Sequence, residues 1–144
     1  MSHIRTNILA FTIISDGTIR MEWQKDGKFV NSPSFVAVER NYAPAEFQVH
    51  DSDGWIEITT SKFTLKYKKD SGKFTASNLA IDSKNITPSF HWKPGDTNAG
   101  NLKGTFRTLD GYDGDIFVGN GNDNGDHKPM PIEDGILSTD GWTL

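Results

Sequence analysis

The sequence contains no cysteine. Disulfide staples, thiol nucleophiles and Cys-ligated zinc are therefore excluded. No run of eighteen apolar residues occurs, so no segment reads as an apolar helix crossing a bilayer. Fifteen Lys and Arg stand against nineteen Asp and Glu, a formal charge of −4, and they form no basic patch. A nucleic-acid partner has no electrostatic footprint on such a chain. The four histidines, His3, His50, His91 and His127, show no metal-ligand spacing. Neither a Gly-x-Ser-x-Gly elbow nor a phosphate loop is present. The first residues show no basic region leading into an apolar stretch, and the compartment stays open between cytoplasm and periplasm. Helical apolar spacing never persists beyond about two turns.

What is abundant is the grammar of an antiparallel β protein. The 144 residues suit a single domain, with fourteen glycines and four tryptophans. Thr18 to Trp23 alternates strictly, with Ile19, Met21 and Trp23 on one face and Arg20 and Glu22 on the other. Ile8 to Ile14 reads as its partner, and Asp16-Gly17 between them as a hairpin turn. Further strands are expected over Ser34–Glu39, Glu46–His50, Trp55–Thr59, Phe63–Lys68 and Leu79–Asp82. Phe63, Leu65 and Tyr67 should face a core, and Thr64, Lys66 and Lys68 should face water. Turn signals about every 8–12 residues set the rhythm of an all-β antiparallel sandwich. Trp55 is open to either face, because Ile56 and Ile58 take the opposite parity.

After Phe90-His91-Trp92 the texture changes. Gly104–Thr108 is a brief strand, and a long Gly/Asp/Asn-rich loop region follows through Asp134. Its many carboxylates show no spacing that selects an acid/base pair, and Asp and Asn favour turns for local reasons. Asn120 to Asp126 alternates oxygen side chains as a calcium loop does. Asn stands in its first ligand positions, however, and Pro131 occupies the place of the bidentate Glu. No resident metal or cofactor is expected. Residues 135–144 read as a final strand pattern that is still apolar at Trp142 and Leu144, which suggests a piece of a longer protein.

Several stretches, taken in order, resemble the N-terminal domain of glycoside hydrolase family 31, the family of α-glucosidases and α-xylosidases. They are Asp16–Trp23, Asp26–Phe29, Pro33–Val36, Phe63–Tyr67 and Phe74–Leu79, then Asn101–Gly111 and Gly135–Trp142, where the likeness is most specific. The resemblance implies a β-sandwich of the galactose-mutarotase-like kind over residues 1–118. Residues 119–144 would then be a loop and final strand leading toward a (β/α)8 barrel. The barrel would hold both catalytic aspartates, working by the retaining route, so this chain would contribute no catalytic residue. The implied partners are an oligosaccharide substrate and the downstream barrel. A loop from the domain would help shape the sugar pocket, and the best match places Arg107 and Asp110 there, with Asp140 and Trp142 nearby. Arg107 and Asp110 suit sugar hydroxyls through charge-assisted hydrogen bonds; an internal ion pair holding the turn is the other reading. The alternative for the whole chain is an independent carbohydrate-binding module, which requires an exposed aromatic platform.

Overall fold

The computed structural model describes residues 3–35, 37–104, 122–123, 129–130 and 133–144. Among these there is no helix. Every strand pair is antiparallel, and the chain divides into two compact units, Met1–Asp96 and Thr97–Leu144.

The first unit is a sandwich of two sheets, each an up-and-down meander. One consists of β1 (His3–Arg5), β2 (Leu9–Ser15) and β3 (Thr18–Trp23). The other consists of β4 (Gln48–Ser52), β5 (Trp55–Thr59), β6 (Phe63–Lys68), β7 (Leu79–Ser83) and β8 (His91–Trp92). The alternation read from sequence decides which side chains meet. Leu9, Phe11 and Ile13 project from the first sheet onto Ile56, Ile58, Leu65, Tyr67 and Leu79 of the second, forming one buried cluster. Burying each of these side chains contributes about 1.5–3 kcal/mol. Ile19, Met21 and Trp23 pack against the edge of the same cluster, as their shared parity requires.

Strand β2 is buried on both faces. Ala10 and Thr12, of opposite parity to Phe11, are also covered. Residues 29–31 reach the outer side of this sheet. Arg5 lies 4.6 Å from the centre of the Phe29 ring, and Arg20 donates to Asn31 Oδ1 at 3.0 Å and to the Val30 carbonyl at 3.1 Å. Arg20 also pairs with Glu22 at 2.6 Å, the two residues that sequence parity had set on one face.

Three expectations need correction. Ser34–Glu39 is not a strand: its described residues form only the isolated bridge Ser34↔Ala37, and Phe35 is 99% exposed. Local side-chain partners replace a ladder here, such as the Glu39 carboxylate accepting from the Asn41 amide at 2.7 Å. The strand expected over 46–50 begins at Gln48 and runs to Ser52, because Asp53 and Gly54 both take the left-handed conformation, φ 51° and 80°, and close a two-residue turn that pairs Ser52 with Trp55. Asp16 and Gly17 do not use that conformation. Instead the β2–β3 hairpin absorbs one extra residue, its register shifting between Ile13 and Ser15.

The two sheets are tied at one end by Thr60, which is 5% exposed. Its hydroxyl donates to the Asp16 carbonyl at 2.6 Å and accepts from the Lys62 and Phe63 amides, both at 3.1 Å. Thr60→Val keeps the shape and removes all three bonds. We expect it to cost about 1–3 kcal/mol, since it strands a buried amide and a carbonyl. The urea midpoint should fall accordingly, and a midpoint within error of the parent would show that this tie does not hold the sheets.

Candidate functional site

In the second unit the chain's closing residues fold back onto 98–104. Leu102 donates its amide to the Leu137 carbonyl at 3.0 Å, Thr139 to Gly100 at 2.8 Å, and Gly104 to Glu133 at 2.7 Å. Asn101 clamps the pair. Its Oδ1 accepts from the Gly135 and Lys103 amides, and its Nδ2 donates to the Gly135 carbonyl at 2.9 Å. Gly135 lies so near the Lys103 carbonyl that a Cβ there would overlap it, so the clamp requires glycine at this position. Lys103 and Asp134 add an ion pair at 2.6 Å, exposed on both sides and worth at most about 1 kcal/mol.

The final strand expected over 135–144 is therefore a tight reversal with isolated bridges, Asn101↔Ser138 and Leu137↔Thr143. Gly141, at φ 83°, turns the chain so that the Ser138 amide reaches the Trp142 carbonyl at 3.0 Å. Ser138 is buried. Its hydroxyl donates to Asn98 Oδ1 at 2.9 Å and accepts from the Asp140 amide at 3.1 Å. Asp140 and Trp142 thus flank one turn, each half-buried. Arg107 and Asp110, the other two residues singled out from sequence, lie outside the described residues, as does most of the Asn120–Asp126 segment. Two-residue strands β9 (Asn122–Asp123), inside that segment, and β10 (Pro129–Met130), beyond it, pair antiparallel. Among the described residues no three His, Asp or Glu side chains converge as a metal site.

The first unit carries a second constellation that sequence reasoning did not assemble. The outer face of the five-stranded sheet collects side chains in cross-strand rows. His50 of β4, Glu57 of β5 and Lys66 of β6 are successive partners, and Ser52 lies opposite Trp55 in the next row. Together with Asp53 of the tight turn they line a shallow depression of about 330 Å³. Glu57 and Lys66 pair at 3.0 Å across its floor. Trp55 is 37% exposed, while Ile56 and Ile58 on either side of Glu57 are buried. The same face continues through Thr59 and Thr64, whose hydroxyls lie 3.4 Å apart, to Asp82 and His91, paired at 2.6 Å. The one signal available in the sequence was parity. If Ile56 and Ile58 point inward, Trp55 must point out. His50 and Lys66 could be placed beside it only once the strand registers were known.

No family model matches this chain, and no curated protein matches it.

Proposed function

We propose that this chain is the N-terminal β-sandwich of a retaining α-glycosidase of the family 31 type. It packs on a downstream (β/α)8 barrel and lends residues to the rim of the sugar pocket. The observation that carries the reading is the meeting of residues 98–104 with 133–144. The resemblance is most specific at Asn101–Gly111 and Gly135–Trp142, far apart in sequence, and Asn101 bonds directly to Gly135. The same two segments expose Leu102, Ile136 and Leu144, each more than half accessible. Exposed apolar side chains on segments that are bonded to one another suit a surface covered by another domain. Two stacked antiparallel sheets are also the architecture that the resemblance implies.

In this reading Arg107 and Asp110 bind sugar hydroxyls by charge-assisted hydrogen bonds, and Trp142 offers an apolar wall beside Asp140. The chemistry itself belongs to two carboxylates of the barrel, held close enough for a covalent glycosyl intermediate. The test uses the full-length gene product, assayed with aryl α-glucosides, α-xylosides and α-galactosides. Hydrolysis with retention of anomeric configuration is expected. Asp110→Ala should then lower kcat/KM by about 10- to 100-fold, the loss of one charged hydrogen bond, with the melting temperature unchanged. Failure to hydrolyse any of the three substrates would sink the glycosidase reading. Unchanged kinetics would remove Asp110 from the pocket.

A further inference from the structure

We infer that the outer face of the five-stranded sheet is a binding platform for neutral oligosaccharides, centred on Trp55 and distinct from the pocket rim proposed above. It does not require a catalytic barrel, because every residue it uses lies within Met1–Asp96.

Three observations select the ligand class. The first is the indole. A tryptophan on a strand whose neighbours Ile56 and Ile58 fill the core is turned outward, with more than a third of its surface open beside a depression. A flat, partly exposed aromatic face flanked by polar groups receives the C–H face of a sugar ring while the hydroxyls at the ring's edge stay solvated or bonded. The second is the polar rim. Asp53 and Glu57 accept hydrogen bonds, Ser52 and His50 donate and accept, and Lys66 donates. Mixed capacity of this kind matches vicinal hydroxyls, each of which is both donor and acceptor. The Lys66 ion pair at 3.0 Å holds the Glu57 carboxylate in place before any ligand arrives, and the turn at φ 51° and 80° fixes Asp53. Both reduce the ordering cost of binding.

The third observation is charge. Lys66 is matched by Glu57, and Lys68, exposed opposite Trp55, offsets the charge of Asp53, so the site carries no excess of either sign. A phosphorylated or sulfated ligand would meet no excess cation there, so a neutral ligand fits best. The depression is open and shallow, at the small end of ligand sites, which run from about 300 to 1,000 Å³. An extended chain lying over the sheet along β5 suits it better than an enclosed small molecule. The polar rows continue for about 13 Å along β5 from Trp55 to Thr59, at about 3.3 Å per residue, which gives room for more than one ring. A second depression, beside Phe47 and Lys84, has similar volume, but Phe47 packs against the core and presents no free platform.

The experiment is isothermal titration calorimetry of the 144-residue chain with maltohexaose, xylohexaose and cellohexaose, and with heparin as the anionic comparison. Binding of at least one neutral hexaose at millimolar or tighter Kd is expected, with none to heparin. Trp55→Ala should weaken it at least tenfold. Glu57→Gln should weaken it several-fold while preserving the melting temperature, and Lys25→Ala, in the exposed turn after β3, should leave it unchanged. Both Trp55 and Glu57 lie on the exposed face, so loss of fold is not expected to confound the result, and far-UV circular dichroism checks this. No binding of any hexaose at 10 mM, or binding indifferent to Trp55→Ala, overturns the inference. Preference for heparin overturns it too. Hexaose binding by this chain when the full-length product has no glycosidase activity would remove the catalytic reading and leave this one standing. Glycosidase activity without hexaose binding at Trp55 would do the reverse.

Discussion

Tyr67→Ala is expected to cost about 3–5 kcal/mol, the range for truncating a fully buried aromatic. Tyr67 has no accessible surface. Its ring meets Phe11 across the sandwich at 5.7 Å and stands edge-on to Phe74 at the same distance, and Phe11 and Phe74 themselves lie 5.8 Å apart. Three mutually packed rings leave no side chain free to collapse into the space vacated. The hydroxyl also donates to the Gly72 carbonyl at 2.7 Å, anchoring the loop between β6 and β7. Domains of this size have only about 5–15 kcal/mol in total, so the variant should lose a large share of the domain's stability. Tyr67→Phe separates the two contributions. It retains the packing and should lose only about 1 kcal/mol, the net value of one neutral hydrogen bond. Equilibrium urea unfolding followed by tryptophan fluorescence reads both. A loss below 1 kcal/mol for the alanine variant would mean that the three-ring cluster is not the keystone of this core.

Asn78→Ala should cost about 2–3 kcal/mol, by a different mechanism. Asn78 is 4% exposed, and its side chain serves the backbone of the loop it closes. Its Oδ1 accepts from the Thr75 amide at 2.7 Å, and its Nδ2 donates to the Lys73 carbonyl at 2.9 Å. The loop also carries Phe74 into the aromatic cluster. Alanine strands an amide and a carbonyl near the core and frees the segment that positions Phe74. Asn78→Asp keeps the acceptor and loses the donor, so an intermediate loss is expected at pH 7. The check is amide hydrogen exchange: protection at Thr75 and at neighbours of Phe74 should fall before global unfolding. Unchanged exchange there would show that Asn78 does not hold the loop.

These two residues mark how far the sequence could be read. Tyr67 was assigned to the core directly, because Phe63, Leu65 and Tyr67 alternate with Thr64, Lys66 and Lys68 and a strand offers only two faces. The same logic placed Ile19, Met21 and Trp23 inward and Arg20 with Glu22 outward. Asn78 gave no such signal, since its role depends on two backbone groups that meet only when the loop closes. The strand expected at Ser34–Glu39 failed for a related reason. Apolar residues with strand propensity form a strand only when a neighbouring edge accepts their ladder, and here the described residues of 34–39 make one short bridge while Arg20 holds nearby Val30 and Asn31 by hydrogen bonds.

The candidate sites divide along the same line. Asp140 and Trp142 were named from resemblance, and the structure puts them at one turn beside Asn101 and Ser138. The Trp55 face had no sequence signature beyond parity, because its members come from three strands and a turn. Periodicity is local chemistry: alternation, turn residues and composition are enough to specify an all-β antiparallel chain and the inward half of most strands. Register is not local. Which residue stands opposite which depends on where each hairpin turns and how the two sheets stack. The two-residue turn at Asp53-Gly54 puts His50 beside Glu57, the turn held by Thr60 puts Glu57 beside Lys66, and the extra residue absorbed after Ile13 belongs to the other sheet, whose Phe11 meets Tyr67 across the core.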